Sequence, residues 1–246
     1  MVKKKKTISV MIPEGVHDIK LETVIKIHEK KTIIGQAKAF MELYGGAKPG
    51  DFNNDALIAL WMTVVKMLHD TPAKKYRKRI GQYRLPVDLT MIRVGAYIEL
   101  CNLDLEEFND LPYALGVFYR KDHDKPYSLN ELIETGSELE KKSLEVGMFG
   151  AQLSSELIEI LMDRFPILFP PRRSKENKKP VKKVNERKAY DMLMSLTDEK
   201  FIDWDVAKQK TLADAFVFLE EKRKKQIKME MDRAQKAAQA KAKGRR

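Results

Sequence analysis

A single cysteine, Cys101, among 246 residues excludes an internal disulfide framework and any cysteine-rich zinc site, and it fits a reducing compartment. Long apolar runs are missing as well. No window approaches the roughly 18 uncharged apolar residues that a membrane span needs. The basic start, "MVKKKKTISVMIPEGVHD", has no apolar stretch of signal-peptide length. The chain is therefore expected to be soluble, with no membrane partner. The phosphate-binding patterns Gly-x-Gly-x-x-Gly and Gly-x-x-x-x-Gly-Lys-Ser/Thr are absent, which removes the usual backbone cradle for a nucleotide. The four histidines, His17, His28, His69 and His123, are scattered, and none forms His-Glu-x-x-His or another ligand pair at helical spacing. No Gly-x-Ser-x-Gly elbow exists for a serine nucleophile. The expectation is a protein that is not an enzyme, with no catalytic residue, no cofactor and no metal.

What is present is charge, and its placement says more than its sum. The net charge is +11. Lys3 to Lys6 supply +4, the run 172–188 carries nine bases against Glu176 and Glu186, and 222–246 carries eleven bases against Glu230 and Asp232. These three runs amount to +20, so the remainder holds −9. Within that remainder, "TPAKKYRKRIGQYR" (71–84) has six bases and no acid, which leaves −15 for the rest. An acidic body with basic attachments meets nucleic acid through its attachments rather than its folded face.

Periodicity predicts a mainly α fold, a multi-helix bundle, with at most a small N-terminal β-hairpin and a long basic C-terminal helix. "TISVMIP" alternates as a strand would, and "VHDIKLE" can return beside it. "LETVIKIHEKKTIIGQAKAFMELY" has helical spacing, with Gly35 expected to divide it. Asp51 or Asn53 can cap "DALIALWMTVVKMLHD", which is apolar almost all round and reads as a core helix. A basic linker to Arg84 follows, then "LPVDLTMIRVGAYIELCNL" with Asp88 or Thr90 near its start. "SLNELIETGSELEKKSL" opens on a capping box, Ser128 with Glu131 three residues on. "VGMFGAQLSSELIEILMDRFPILF" interleaves small residues, so a neighbouring helix can approach closely. The chain thus divides into a basic arm and strand (1–15), a helical bundle (16–170), a basic linker (171–188) and a C-terminal helical unit (189–246). "IPEGVHDIKLETVIKIHE" and "LPVDLTMIRVGAYIEL" echo one another, each leading from a proline and an aspartate into a helix. A duplicated entry motif is one reading, and reuse of helix-start chemistry, which recurs anyway, is the one preferred over it.

Residues 110–127, "DLPYALGVFYRKDHDKPY", look most like chemistry. Adjacent Asp122, His123 and Asp124 side chains diverge, however, and a third ligand is missing. A helix end followed by a turn explains them. This phrase, with "EVGMFGAQLSSELIEILM" and the two lead-ins above, resembles bacteriophage tail-assembly chaperones and related baseplate or neck components. The resemblance covers roughly residues 8–169. It implies a nonenzymatic virion or host-cytoplasmic protein that binds other virion proteins during assembly, with an oligomer among its forms. It carries over no individual functional residue.

Candidate contacts come from composition instead. Lys74, Lys75, Arg77 and Arg79 interleave with Tyr76, and Arg223, Lys224 and Lys225 precede Met229 and Met231 in a charged helix where methionine is hard to bury. Partner protein is the first reading. The competing one is nonspecific DNA contact through the basic tails, since such runs can neutralise phosphates and tyrosines can stack on bases.

Overall fold

The computed structural model describes residues 10–70, 75–170, 186–198, 200 and 203–243. The fold is mainly α: among the described residues there are ten α-helices and one two-stranded antiparallel sheet. The described residues fall into two compact units that share the chain by turns. The first draws on 1–84, 103–121 and 128–153, the second on 85–102, 122–127 and 154–246. The sequence reading expected consecutive segments. The expected linker, 171–188, lies outside the described residues up to 185, as does the arm, 1–9.

In the first unit, α1 (Leu21–His28), α2 (Ile33–Phe40) and α3 (Asn54–Asp70) close a core around Phe40, Trp61 and Leu57. Gly35 does not divide α1 from α2. The break falls at Glu29–Thr32, because the Thr32 hydroxyl accepts the Gly35 amide at 3.0 Å and so starts α2. Asn53 rather than Asp51 caps α3, accepting the Ala56 amide at 2.8 Å. In α5 (Leu111–Phe118) and α6 (Leu129–Glu140) the chains nearly touch: a Cβ added at Gly136 would meet the Pro112 carbonyl at 2.7 Å. Ser128 caps α6, but Glu131 does not close the capping box. Its carboxylate pairs with Arg120 at 2.6 Å. The small residues in the part of α7 (Leu144–Arg164) that belongs to this unit, up to Leu153, serve the expected purpose, with the Cβ position of Gly150 2.9 Å from Ala114.

The hairpin is not at the N-terminus among the described residues. Residues 16–18 form a turn, and Lys20 makes a single bridge to Ser143. The strands are β1 (Arg79–Ile80) and β2 (Tyr83–Arg84), inside the stretch expected to be a basic linker. Gly81, at φ +59°, makes the two-residue turn with Gln82, and Ile80 faces Tyr83 with both buried. Arg84 then exchanges both backbone hydrogen bonds with Arg120, at 3.0 and 3.1 Å. The arginines disguised a strand pair whose inward side is apolar.

The second unit holds α4 (Val94–Asn102), α8 (Glu186–Leu196), α9 (Trp204–Lys208) and α10 (Leu212–Lys243). Phe216 of α10 meets Tyr97, Phe165 and Phe169 at centroid distances of 6.2, 5.4 and 5.5 Å. Between α9 and α10 the chain is interrupted at Gln209–Thr211, where the Thr211 hydroxyl accepts the Asp214 amide at 3.1 Å and starts α10 afresh.

The sequence echo has a structural counterpart. Leu21 and Leu144 donate their amides to Lys142 and Ile19, at 2.9 and 2.8 Å. In the second unit Val94 and Leu212 donate theirs to Lys210 and Ile92, at 2.9 and 2.8 Å. Each unit thus begins two helices from one antiparallel bridge, Lys20 with Ser143 and Arg93 with Thr211.

Candidate protein-binding surface

The helix α10 is 32 residues long, and its burial is confined to its first half. Leu212, Ala215 and Phe216 are buried, Leu219 and Lys222 are half-buried, and Ile227 is the last half-buried position. From Lys228 to Gln239 every side chain is exposed. Burial therefore ends at Ile227, while the helix itself continues to Lys243. Alanine and unbranched charged residues have the intrinsic propensity to keep that stretch helical.

Lys222 fixes the point of departure. Its ammonium donates to the Ser195 carbonyl at 2.9 Å and to Asp198 at 2.7 Å, tying α10 to the end of α8. This lysine holds the Asp198 carboxyl below its ordinary range. Lys224 lies 2.9 Å from Glu221 and 3.1 Å from Glu220, and the two carboxylates raise its ammonium above the usual value. Arg223 reaches Glu230 at 3.7 Å and Gln226 at 3.4 Å. Lys225 is exposed on the same helix. Met229 and Met231 are 53% and 67% exposed. They are not neighbours on the surface, because two helical residues in succession turn by about 200° and leave these side chains on nearly opposite faces.

The other predicted group is placed in the first unit and serves partly to hold the hairpin. Lys74 lies outside the described residues. Lys75 sits 5.9 Å from the Tyr76 ring centroid. The Arg77 carbonyl accepts the hydroxyl of the fully buried Tyr119 at 2.5 Å, and its guanidinium stands 3.8 Å from Glu145. The Arg79 side chain turns back on the Gly81 carbonyl at 2.8 Å. Tyr83 donates its hydroxyl to Glu138, beside Lys121. These contacts occupy part of the group with its own fold.

A surface that the sequence reading missed lies on α3. Leu57, Trp61 and Val64 are buried, as a core helix requires, but Ala59, Met62 and Val65 face outward and exposed. A helix apolar on both sides was read as surrounded, whereas it covers a core with one face only.

Asp122–Tyr127 has a structural task. Arg93 donates to the carbonyls of His123 and Asp124, both at 3.4 Å. The Gln209 side chain brackets Tyr127, accepting its amide at 2.5 Å and donating to its carbonyl at 3.1 Å. The ring of Tyr127 fills the space that a Cβ on Gly95 would take. Burial first, and Glu99 next, push the Tyr127 phenol well above its ordinary range. Among the described residues no three His, Cys, Asp or Glu side chains converge as a metal site would require.

A cleft of 360 Å³ opens in the second unit between α4, α8 and α10, with Tyr97, Cys101, Met192, Phe216 and Leu219 in its walls and Arg223 at its rim. Burial pushes the Cys101 thiol up to about 11, so it stays protonated near neutrality and lacks the thiolate a nucleophile needs. The walls of the cleft are mainly apolar, with Asp191, Ser195 and Lys222 also lining it. No family model, curated protein or solved structure matches the chain.

Proposed function

We propose that the chain is a nonenzymatic bacteriophage structural or tail-assembly protein that binds other virion proteins, in the virion or the host cytoplasm. The observation that carries the protein-binding part is the end of burial at Ile227 in a helix that runs to Lys243. A helix of that length gains most of its stability in water from a packed face, and this one has no packed face from Lys228 to Gln239. The outward apolar residues of α3 support the same reading. The phage part rests on the helical phrases of residues 8–169, and a mainly helical body suits an assembly partner.

The test is deletion of 228–246 from the phage genome. Infectious particles should fall sharply and the shortened chain should no longer co-purify with tail components. Normal particle yield with normal incorporation would overturn the reading. Nucleic-acid binding is the second reading, favoured by nine bases against two acids over 222–243. Duplex DNA retention should then weaken by about 0.9 log units per neutralised phosphate for each decade of salt.

A further inference from the structure

The outer half of α10 is patterned as well as basic. Ile227, Met231, Ala234 and Ala238 recur at intervals of four, three and four residues, the a and d spacing of a two-helix seam. Ile227 is half-buried at the end of the second unit, and the other three are exposed. The alanines let a second backbone approach closely. A phosphate backbone has no use for such a seam. Arg223 and Lys228 flank it, Lys224 begins it, and Glu230 is the single acid beside it. The whole segment 222–243 is net +7, with nine bases and two acids, so a second copy of the same helix would be repelled along its length.

Resting on the protein-binding reading above, we propose that this seam receives an acidic amphipathic helix from another protein. In that pairing the partner's apolar side chains lie over Ile227, Met231, Ala234 and Ala238. Its carboxylates meet Arg223, Lys224 and Lys228. The seam starts beside the apolar cleft rimmed by Arg223 and Gln226, which can take a larger side chain from the partner's end. Met229 falls on the outer face and takes no part. That separates the two exposed methionines, which composition alone had grouped.

The probe is a synthetic helix of about four heptads, with leucine at its a and d positions and glutamate at e and g. It is titrated into the full-length chain and into Met231→Glu, Ala238→Glu and Met229→Glu, each of which changes the net charge by the same amount. Met231→Glu and Ala238→Glu should weaken binding by at least about tenfold, equivalent to roughly 1.4 kcal/mol. Met229→Glu should change it less than about twofold, with helix content unaltered in all three by circular dichroism. Binding should also weaken as salt is raised. Equal losses in all three variants would mean that charge alone decides, and would overturn the seam. So would no binding of the peptide to the unaltered chain. Sedimentation showing a dimer that Met231→Glu dissolves would replace the foreign helix by a second copy. Duplex DNA binding that outcompetes the peptide and ignores the position of the glutamate would replace it by nucleic acid. Particle assembly indifferent to loss of 228–246 would sink the phage reading and leave the peptide result standing.

Discussion

Two bridges start two pairs of helices in this chain, and the helices that follow them end differently. Behind Ser143, α7 keeps burying side chains nearly to its end, through Leu144, Phe149, Leu153, Leu157 and Leu161. Behind Thr211, α10 buries Leu212, Ala215 and Phe216 and then stops. The starting chemistry is the same: a hydroxyl residue before leucine, and paired backbone hydrogen bonds to an isoleucine–basic–apolar strand. The helices are then sustained by different forces. Burial specifies α7. Intrinsic propensity sustains the outer half of α10, which is built mainly of alanine and unbranched polar and charged residues. A helix kept by such weak terms over several turns has no packed face of its own from Lys228 to Gln239.

The largest effect should come from removing burial where it is continuous. Phe149→Ala, at a position 1% exposed, should destabilise the first unit by about 3–5 kcal/mol in denaturant unfolding. Deleting 228–246 removes far more atoms and should move the unfolding midpoint by no more than about 0.5 kcal/mol, as exposed changes do. A large loss on that deletion would show that the outer half of α10 is packed, and the contrast would collapse.

Small residues sharpen the comparison at the next level. Gly150→Ala in α7 ought to gain up to about 1 kcal/mol from helix propensity. The new Cβ, however, lies 2.9 Å from Ala114, and overpacking of that kind costs about 1–3 kcal/mol, so the net change should be a loss. Ala234→Gly in α10 meets no neighbour and should lower only the helical circular dichroism signal, with the thermal midpoint unmoved. A stabilised Gly150→Ala would mean that α5 and α7 are free to move apart.

Much of this is legible in the sequence wherever one physical term dominates. The serine cap of α6, the small-residue face of α7 and the end of burial at Ile227 all follow from residue type and period. The failures share a cause, which is that local charge or glycine content was weighed without its partners. Gly35 looked like a breaker until Thr32 supplied a cap. "KRIGQYR" looked like a linker because its bases point outward, although Ile80 and Tyr83 alternate inward around a glycine turn. On α3, period alone did not show that Met62 and Val65 have no cover. On α10 it was available, since the opposite placement of Met229 and Met231 needs only helical geometry. The lead-in echo was visible as letters. That each copy pairs with a lysine–hydroxyl–leucine phrase more than a hundred residues later was not, because long-range pairing leaves no local period.

A smaller effect than the core substitution separates the two lead-ins by pH. In the second unit Asp88 accepts the Thr90 amide at 2.9 Å and pairs with Arg164 at 2.6 Å. Burial alone would raise its carboxyl pKa, but the bonds from Thr90 and Arg164 outweigh it and hold the carboxyl below its ordinary value. A carboxyl depressed by folding adds stability that is present above its unfolded pKa and disappears as pH falls through the folded one. The loss therefore sets in below about pH 4. Asp88→Asn keeps an oxygen for the Thr90 amide but loses the charge paired with Arg164, so it should cost no more than about 1 kcal/mol near neutrality and should flatten the acid limb of the stability curve for the second unit. Arg164→Met removes one of the two groups that depress the pKa and should give a partial version of the same change. Thermal melts from neutral to acid pH decide it: an acid limb as steep in Asp88→Asn as in the unaltered chain would mean that Asp88 does not couple this lead-in to pH.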